Sequence, residues 1–408
     1  MIKKADYINT AFEIGATLCR TAIWYNDSCN WIDLKFNERT TKFYHSPMPA
    51  DFYEGTAGIA FFLNNLFLLT NEKIFSTTAS GALNNAYKHR DNAQAAFSNS
   101  FYQGKAGIAY TMLKAYEITG EKVWRTKALE LFSEIEQADV NAMRYDIVCG
   151  VAGIIPAFIY GAFVLKKKQL LQIGLKFADA LIEKAGVQNH SMSWNYNGEF
   201  GQPHTGFAHG SSGMGYVFMI LFKHTGQEKY LKSALESFNY DDTFFYRELN
   251  AWQRLNEPPL SQSEKDVWHQ YPSMWCYGAA GIGIAKLTAW LITKNTEHKN
   301  FLVSAASRAL AANQFETNYG LCHGHFSNCE LLLTAGRFLK NKKWIAEAVA
   351  VANKGIENTA ALNREWVCGG RGNYQTYGFM NGIAGIGNFY LRLADEKIQS
   401  GLFLEELL

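Results

Sequence analysis

Apolar positions in this chain fall into a pattern that repeats seven times. Each copy opens with Gly-x-(Ala/Ser)-Gly and runs straight into a mostly apolar stretch. The copies begin Gly55-Thr56-Ala57-Gly58, Gly104-Lys105-Ala106-Gly107, Gly150-Val151-Ala152-Gly153, Gly210-Ser211-Ser212-Gly213, Gly278-Ala279-Ala280-Gly281, Gly324-His325-Phe326-Ser327 and Gly382-Ile383-Ala384-Gly385. The sixth is degenerate, with Ser327 where the second glycine is expected. First glycines lie between 46 residues (Gly104 to Gly150) and 68 residues (Gly210 to Gly278) apart. A period of that size marks a repeat architecture, with room for two helices per unit.

A second signal travels with the first. Turn residues follow at a fixed distance, as in Thr70-Asn71-Glu72-Lys73, Thr119-Gly120-Glu121-Lys122 and Thr225-Gly226-Gln227-Glu228. Runs with a helical period come next: Trp124 to Ile135, Tyr230 to Phe238, Ile345 to Ala352. An apolar helix, a turn and an amphipathic helix make a helical hairpin. The β-branched alternation of strands is sparse. The pattern therefore predicts an all-α fold of about seven hairpins in one domain over 1–408, stacked as an open solenoid or closed as an α,α-toroid. A helix from about Tyr7 to Trp24 would complete the first or last hairpin. Stretches 188–203 and 241–272 read as long loops rich in aromatic, Asn, His and Pro residues, the kind that more often carry function.

Composition narrows the class. A hydrophobic content of 48% with 14% aromatics is globular, and a net charge of +2 without a basic block gives no case for a nucleic-acid partner. The N-terminus lacks the apolar core of a signal peptide, and the longest apolar run, Ile59 to Leu69, is interrupted by Asn64 and Asn65 and too short to span a bilayer. Seven cysteines, an odd number spread over a long chain, suit a reducing, cytoplasmic compartment with free or metal-bound thiols better than a disulfide framework.

The repeat also organises the candidate chemistry. Residues just before each first glycine are Glu54, Gln103, Cys149, His209, Tyr277, His323 and Asn381, nearly all polar; one place earlier stand Tyr53, Tyr102, Val148, Ala208, Cys276, Cys322 and Met380. In a closed ring Cys276, Cys322 and His323 come from adjacent units and converge. Two thiolates and an imidazole with one open position describe a catalytic zinc site, although cysteine at an otherwise apolar position is also a common small core residue. Cys329, two helical turns beyond Cys322, points into the helix body. His209 has an ordinary pKa that suits proton transfer near neutral pH, although a histidine before a glycine, taken alone, is more often structural. Asp146 could orient a histidine or cap a helix, and Tyr277 could donate a hydrogen bond to a developing oxyanion or simply pack.

Taken together, Trp275-Cys276-Tyr277-Gly278, Cys322-His323-Gly324, Ala208-His209-Gly210 and Asp146-Ile147-Val148-Cys149-Gly150 within seven such units resemble the lanthionine synthetase C-like family, from about Asp51 to Leu393. That resemblance implies an α,α-toroid with one Zn2+ per chain, held by Cys276, Cys322 and His323. It implies an enzyme that adds peptide cysteine thiols to dehydroalanine or dehydrobutyrine, closing (methyl)lanthionine rings, with His209, Asp146 and Tyr277 as catalytic residues. Its implied substrate is a dehydrated precursor peptide, leader plus core. Its implied partners are a dehydratase and an export transporter, which would bring a protein without a transmembrane segment to the membrane surface. One alternative keeps the zinc but adds glutathione to dehydroamino acids; another is a non-catalytic helical-repeat binding protein. A glycosidase-like barrel would need two opposed carboxylates, and only Glu54 and Asp146 stand near the ring. With no dehydratase-sized region before the repeats, a separate cyclase is expected rather than the end of a fused synthetase. Family members often carry an arginine four residues before the first ligand cysteine, where this chain has Pro272; His269, Arg254 and Arg371 are the groups left to replace it, and the sequence does not select among them. Ser327 puts the packing of the sixth helix in question.

Overall fold

Every glycine-led segment is a helix that starts at the residue after its first glycine. These are α2 (Thr56–Thr70), α4 (Lys105–Thr119), α6 (Val151–Leu165), α8 (Ser211–Thr225), α10 (Ala279–Thr293), α12 (His325–Leu339) and α14 (Ile383–Ala394). The computed structural model describes residues 3–37, 40–195, 202–255, 270–312, 318–361, 365–369 and 374–408. The amphipathic runs form α3 (Lys73–Lys88), α5 (Lys122–Glu136), α7 (Lys168–Glu183), α9 (Glu228–Asp242), α11 (Thr296–Ala312) and α13 (Lys342–Ala361), each packed on the glycine-led helix before it. The opening helix α1 (Lys4–Thr21) packs on α14 and so supplies the outer helix of the last hairpin.

The inner helices close into a ring, because α14 also packs against α2. Closure is written in the backbone. The N–H of Tyr53 donates to Tyr102 O (2.8 Å), Val148 to Ala208 O (3.4 Å), Ala208 to Cys276 O (2.9 Å), Cys322 to Met380 O (3.0 Å), and Met380 back to Tyr53 O (2.8 Å). These are the residues two before each first glycine, so equivalent places in successive copies meet around one axis. The second glycines make the approach possible: a methyl on Gly281 would overlap the Trp275 carbonyl and the Phe207 Cβ of the neighbouring unit.

Below this rim the ring is filled. The residues three before the glycines, Phe52, Phe101, Ile147, Phe207, Trp275, Leu321 and Phe379, are all buried. Farther along the inner helices, the chain end turns into the ring. Tyr102 donates its hydroxyl to Gly401 O (3.0 Å), Tyr110 donates to Glu406 Oε1 (2.7 Å), and Arg392 lies 2.8 Å from Glu405. The chain end thus packs the far end of the ring, and among the described residues the N-termini of the inner helices form an open mouth.

Three expectations change. Trp24 is not helical: α1 ends at Thr21, and Trp24 lies in β1 (Ile23–Tyr25), antiparallel to β2 (Ser28–Asn30). A second hairpin, β3 (Ile32–Asn37) with β4 (Lys42–Pro47), follows in a region the period did not mark as strand. The expected loops hold short hairpins: β5 (Gly186–Gln188) pairs with β6 (Ser191–Ser193), and after α9, which reaches Asp242, β7 (Phe245–Tyr246) pairs with β8 (Ala251–Trp252). Trp268, Pro258 and Pro259 lie outside the described residues. Among the described residues no helix is long and apolar enough to cross a membrane.

Candidate metal centre

At the mouth, the segments entering α10 and α12 are laid side by side by the rim hydrogen bonds, and their ligand-type residues meet. Ligand atoms of Cys276, Cys322 and His323 all lie within 4.8 Å of one another, with Cys276 Sγ 3.8 Å from His323 Nδ1. Both cysteines are buried and His323 is half-buried. The pair of thiols is electrostatically strained. Cys276 is held well below the usual thiol range because Cys322 donates to it, against the cost of burial and with help from His323. Cys322 is pushed well above that range, first by burial, then by its hydrogen bond to Cys276 and the charge there. Two buried thiolates in contact repel, and a dication held between them would let both ionise. Two sulfurs, one imidazole and an open mouth fit zinc with a vacant fourth position. The hydroxyl of Tyr53, from the first unit, which follows the seventh around the ring, bears on Cys322.

Ser327 is well accommodated. Its buried hydroxyl accepts the Trp275 N–H at 2.6 Å, and the same N–H donates to Cys322 O at 3.1 Å. The serine therefore ties the segment before one candidate ligand to the helix after the other two.

Beside this cluster stands a second. The His209 Nδ1–H donates to Asp146 Oδ2 at 2.9 Å, and Asp146 Oδ1 accepts the Cys149 N–H at 2.5 Å. Asp146 thus both orients the histidine and caps its own turn, the two roles that had stood as alternatives. Burial disfavours charge on His209, but Asp146 and then Cys276 outweigh it, so its pKa is raised. Tyr277 faces the same space, with ring centroids 5.2 Å from His209 and 5.9 Å from His204. Burial raises the Tyr277 pKa, which keeps its hydroxyl protonated and able to donate. Together with Arg144, Tyr145 and Trp194, these groups line a cavity of about 220 Å3. On the His323 side, a cavity of about 390 Å3 is walled by the β3–β4 hairpin through Asp33, Lys35 and Tyr44, with Glu54 and Asn381; Lys35 pairs with Glu54 at 2.7 Å.

Pro272 serves the backbone, and two arginines lie near the Tyr277 side of the mouth. The Pro272 carbonyl accepts the Ala279 N–H at 3.1 Å and so serves the first turn of α10, as Pro49 does for Thr56 at 2.9 Å in the first unit. Arg144 occupies the equivalent place of the third unit, its carbonyl accepting the Val151 N–H at 2.9 Å, and its side chain lines the His209 cavity. Arg254 lies with its Cζ 4.6 Å from the Tyr277 ring centroid. His269 and Arg371 lie outside the described residues. Sequence reasoning missed Arg144, His204 and Tyr53. Arg144 could have been found by extending the repeat comparison six places before each glycine; His204, whose pKa burial lowers to about 4, carries no such signal. Cys329 is buried on α12, and all seven cysteines are free thiols.

The family described as lanthionine synthetase C-like protein matches residues 46–407. A lacticin 481/lactococcin biosynthesis protein, LcnDR2, of Lactococcus lactis subsp. lactis is 27% identical over 208 residues, covering 48% of this chain and 21% of that protein. The chain therefore matches about a fifth of the length of that curated relative. Among solved structures, a nisin cyclase superposes with a TM-score of 0.64 at 18% identity, over 97% of this chain and 96% of that one, which establishes the toroidal fold.

Proposed function

The chain belongs to the lanthionine synthetase C-like family, and from that premise we propose that it is a zinc-dependent lanthipeptide cyclase, acting on a dehydrated precursor peptide. The observation that carries this reading is the meeting of Cys276, Cys322 and His323 beside the Asp146–His209 pair at one open mouth. Cys276, Cys322 and His323 would hold the zinc. Bound there, the ion would supply Lewis acidity that favours the thiolate form of a thiol near neutral pH.

The chain's own groups account for the rest. The thiol proton passes to His209 Nε2, the nitrogen left available because Nδ1 is committed to Asp146. The substrate sulfur adds to the β-carbon of the dehydroamino acid, and the electrons of the C=C bond move to the carbonyl as an enolate. Tyr277 donates a hydrogen bond toward that oxygen, and Arg144 and Arg254 place positive charge beside it. His209 then returns the proton to the α-carbon, so the net reaction forms one C–S and one C–H bond and consumes one S–H and one π bond. The His209 cavity suits the acceptor residue. The larger cavity on the His323 side suits the peptide arm that carries the thiol.

Cyclisation leaves peptide mass unchanged, so the assay is alkylation of the remaining thiols. Wild-type protein should protect a dehydrated peptide from alkylation. His209→Ala should slow protection by about 10² to 10⁴ with zinc still bound. Full activity in that variant would remove His209 from the mechanism.

A further inference from the structure

Cys149 has no part in the reaction just described, yet it stands in the same cluster as two residues that do. Ligand atoms of Asp146, Cys149 and His209 all lie within 4.8 Å of one another, each from a different residue type that binds transition metals. The place is built. Asp146 Oδ1 accepts the Cys149 N–H at 2.5 Å, fixing residue 149 against the carboxylate. The same carboxylate sits 2.9 Å from His209 Nδ1. The Cys149 side chain is 5% exposed, and its thiol donates to Gln103 Oε1 at 3.2 Å, which brings a neutral oxygen to the same edge. In the repeat, Cys149 holds the place that His323 holds in the sixth unit, so both clusters draw a ligand from the residue before a first glycine.

We propose that Asp146, Cys149 and His209 form a second, weaker site for a thiophilic divalent cation of the zinc class, and that filling it switches the protein off. One thiolate, one imidazole and one carboxylate oxygen suit Zn2+ or Co2+ and disfavour Mg2+ and Ca2+. The site has one thiolate where the Cys276–Cys322–His323 site has two, which orders the affinities. Binding displaces the Cys149 proton and takes a lone pair or the Asp146 contact from His209, so affinity rises with pH. The inhibitory part rests on the reading of His209 as the proton carrier; the binding part does not. A cell with zinc in excess would thus idle the enzyme through its own mouth.

The test is a Co2+ titration of chelator-treated full-length protein, followed by the thiolate-to-cobalt charge-transfer absorption, with cyclisation measured on zinc-loaded protein as further Zn2+ is added. Wild type should bind cobalt in two steps, the first tighter. Cys149→Ser and Cys149→Ala should each lose only the second step, and a Cys276→Ala/Cys322→Ala variant should keep only that one. A single step in wild type, or a second step that survives both Cys149 variants, overturns the site. Extra Zn2+ should lower wild-type cyclisation at least tenfold and leave Cys149→Ala unaffected; equal inhibition of the two overturns the switch. Absence of any cyclisation by the singly loaded protein, with two cobalt steps intact, would instead count against the function proposed above.

Discussion

Ser327→Ala isolates the contribution of one hydroxyl to the metal site. Ser327 Oγ accepts the Trp275 N–H at 2.6 Å in a fully buried setting, one residue before Cys276. The same N–H also reaches Cys322 O at 3.1 Å. Removing the hydroxyl therefore does not orphan a buried donor, which would cost about 1–3 kcal/mol; it removes one of two acceptors, for which about 1 kcal/mol is the appropriate size. If that loss falls on the metal-bound arrangement, zinc affinity drops about fivefold. Competition against a chromophoric chelator measures it, with circular dichroism to confirm that the ring is intact. A drop of two- to tenfold agrees with the reasoning. Unchanged affinity would refute it by showing that the hydroxyl does not position Cys276. A loss beyond about a hundredfold would refute it in the other direction, since that is the upper end for an outer-shell partner.

Asp146→Asn keeps an oxygen for the Cys149 N–H but removes the negative charge that raises the His209 pKa. A group whose folded pKa is raised lends stability below its unfolded pKa, here 6.5, and loses it as pH rises through the folded value. Thermal melts should therefore show the variant's deficit to be larger at about pH 5.5 than at about pH 8.5, and the histidine limb of the cyclisation profile should move to lower pH; a deficit that does not vary with pH would count against the pairing. Arg254→Ala should slow cyclisation by about ten- to a hundredfold while zinc content stays the same, because Arg254 lies over Tyr277 and is not a ligand. A change in zinc content with no change in rate would assign Arg254 to the metal site.

The ring was legible because its cause is local and repeated. A glycine pair that admits a neighbour's backbone, an apolar run and a turn at constant spacing state the hairpin seven times over. Equivalence within that repeat also brought Cys276, Cys322 and His323 together before any coordinates did. Strands β1 to β8 were missed because each is two to six residues long, too short for an alternation to register; β4 is mostly exposed, and β3 buries an aspartate while leaving Ile32 exposed, the reverse of the usual pattern. The role of Ser327 was misjudged because a departure from a repeat was weighed as a lost glycine, when the added hydroxyl finds a backbone donor in the next unit. Tyr53 reaches Cys322 from the far end of the sequence, a closeness that follows only from closure of the ring.

The most direct test of the account is elemental analysis for zinc on dialysed wild-type protein and on Cys276→Ala and Cys322→Ala. The account predicts about one zinc per chain in wild type and its loss from both variants with helical content preserved. A folded wild type purified without chelator that holds no zinc, or variants that retain it, would contradict the metal centre and with it the proposed reaction.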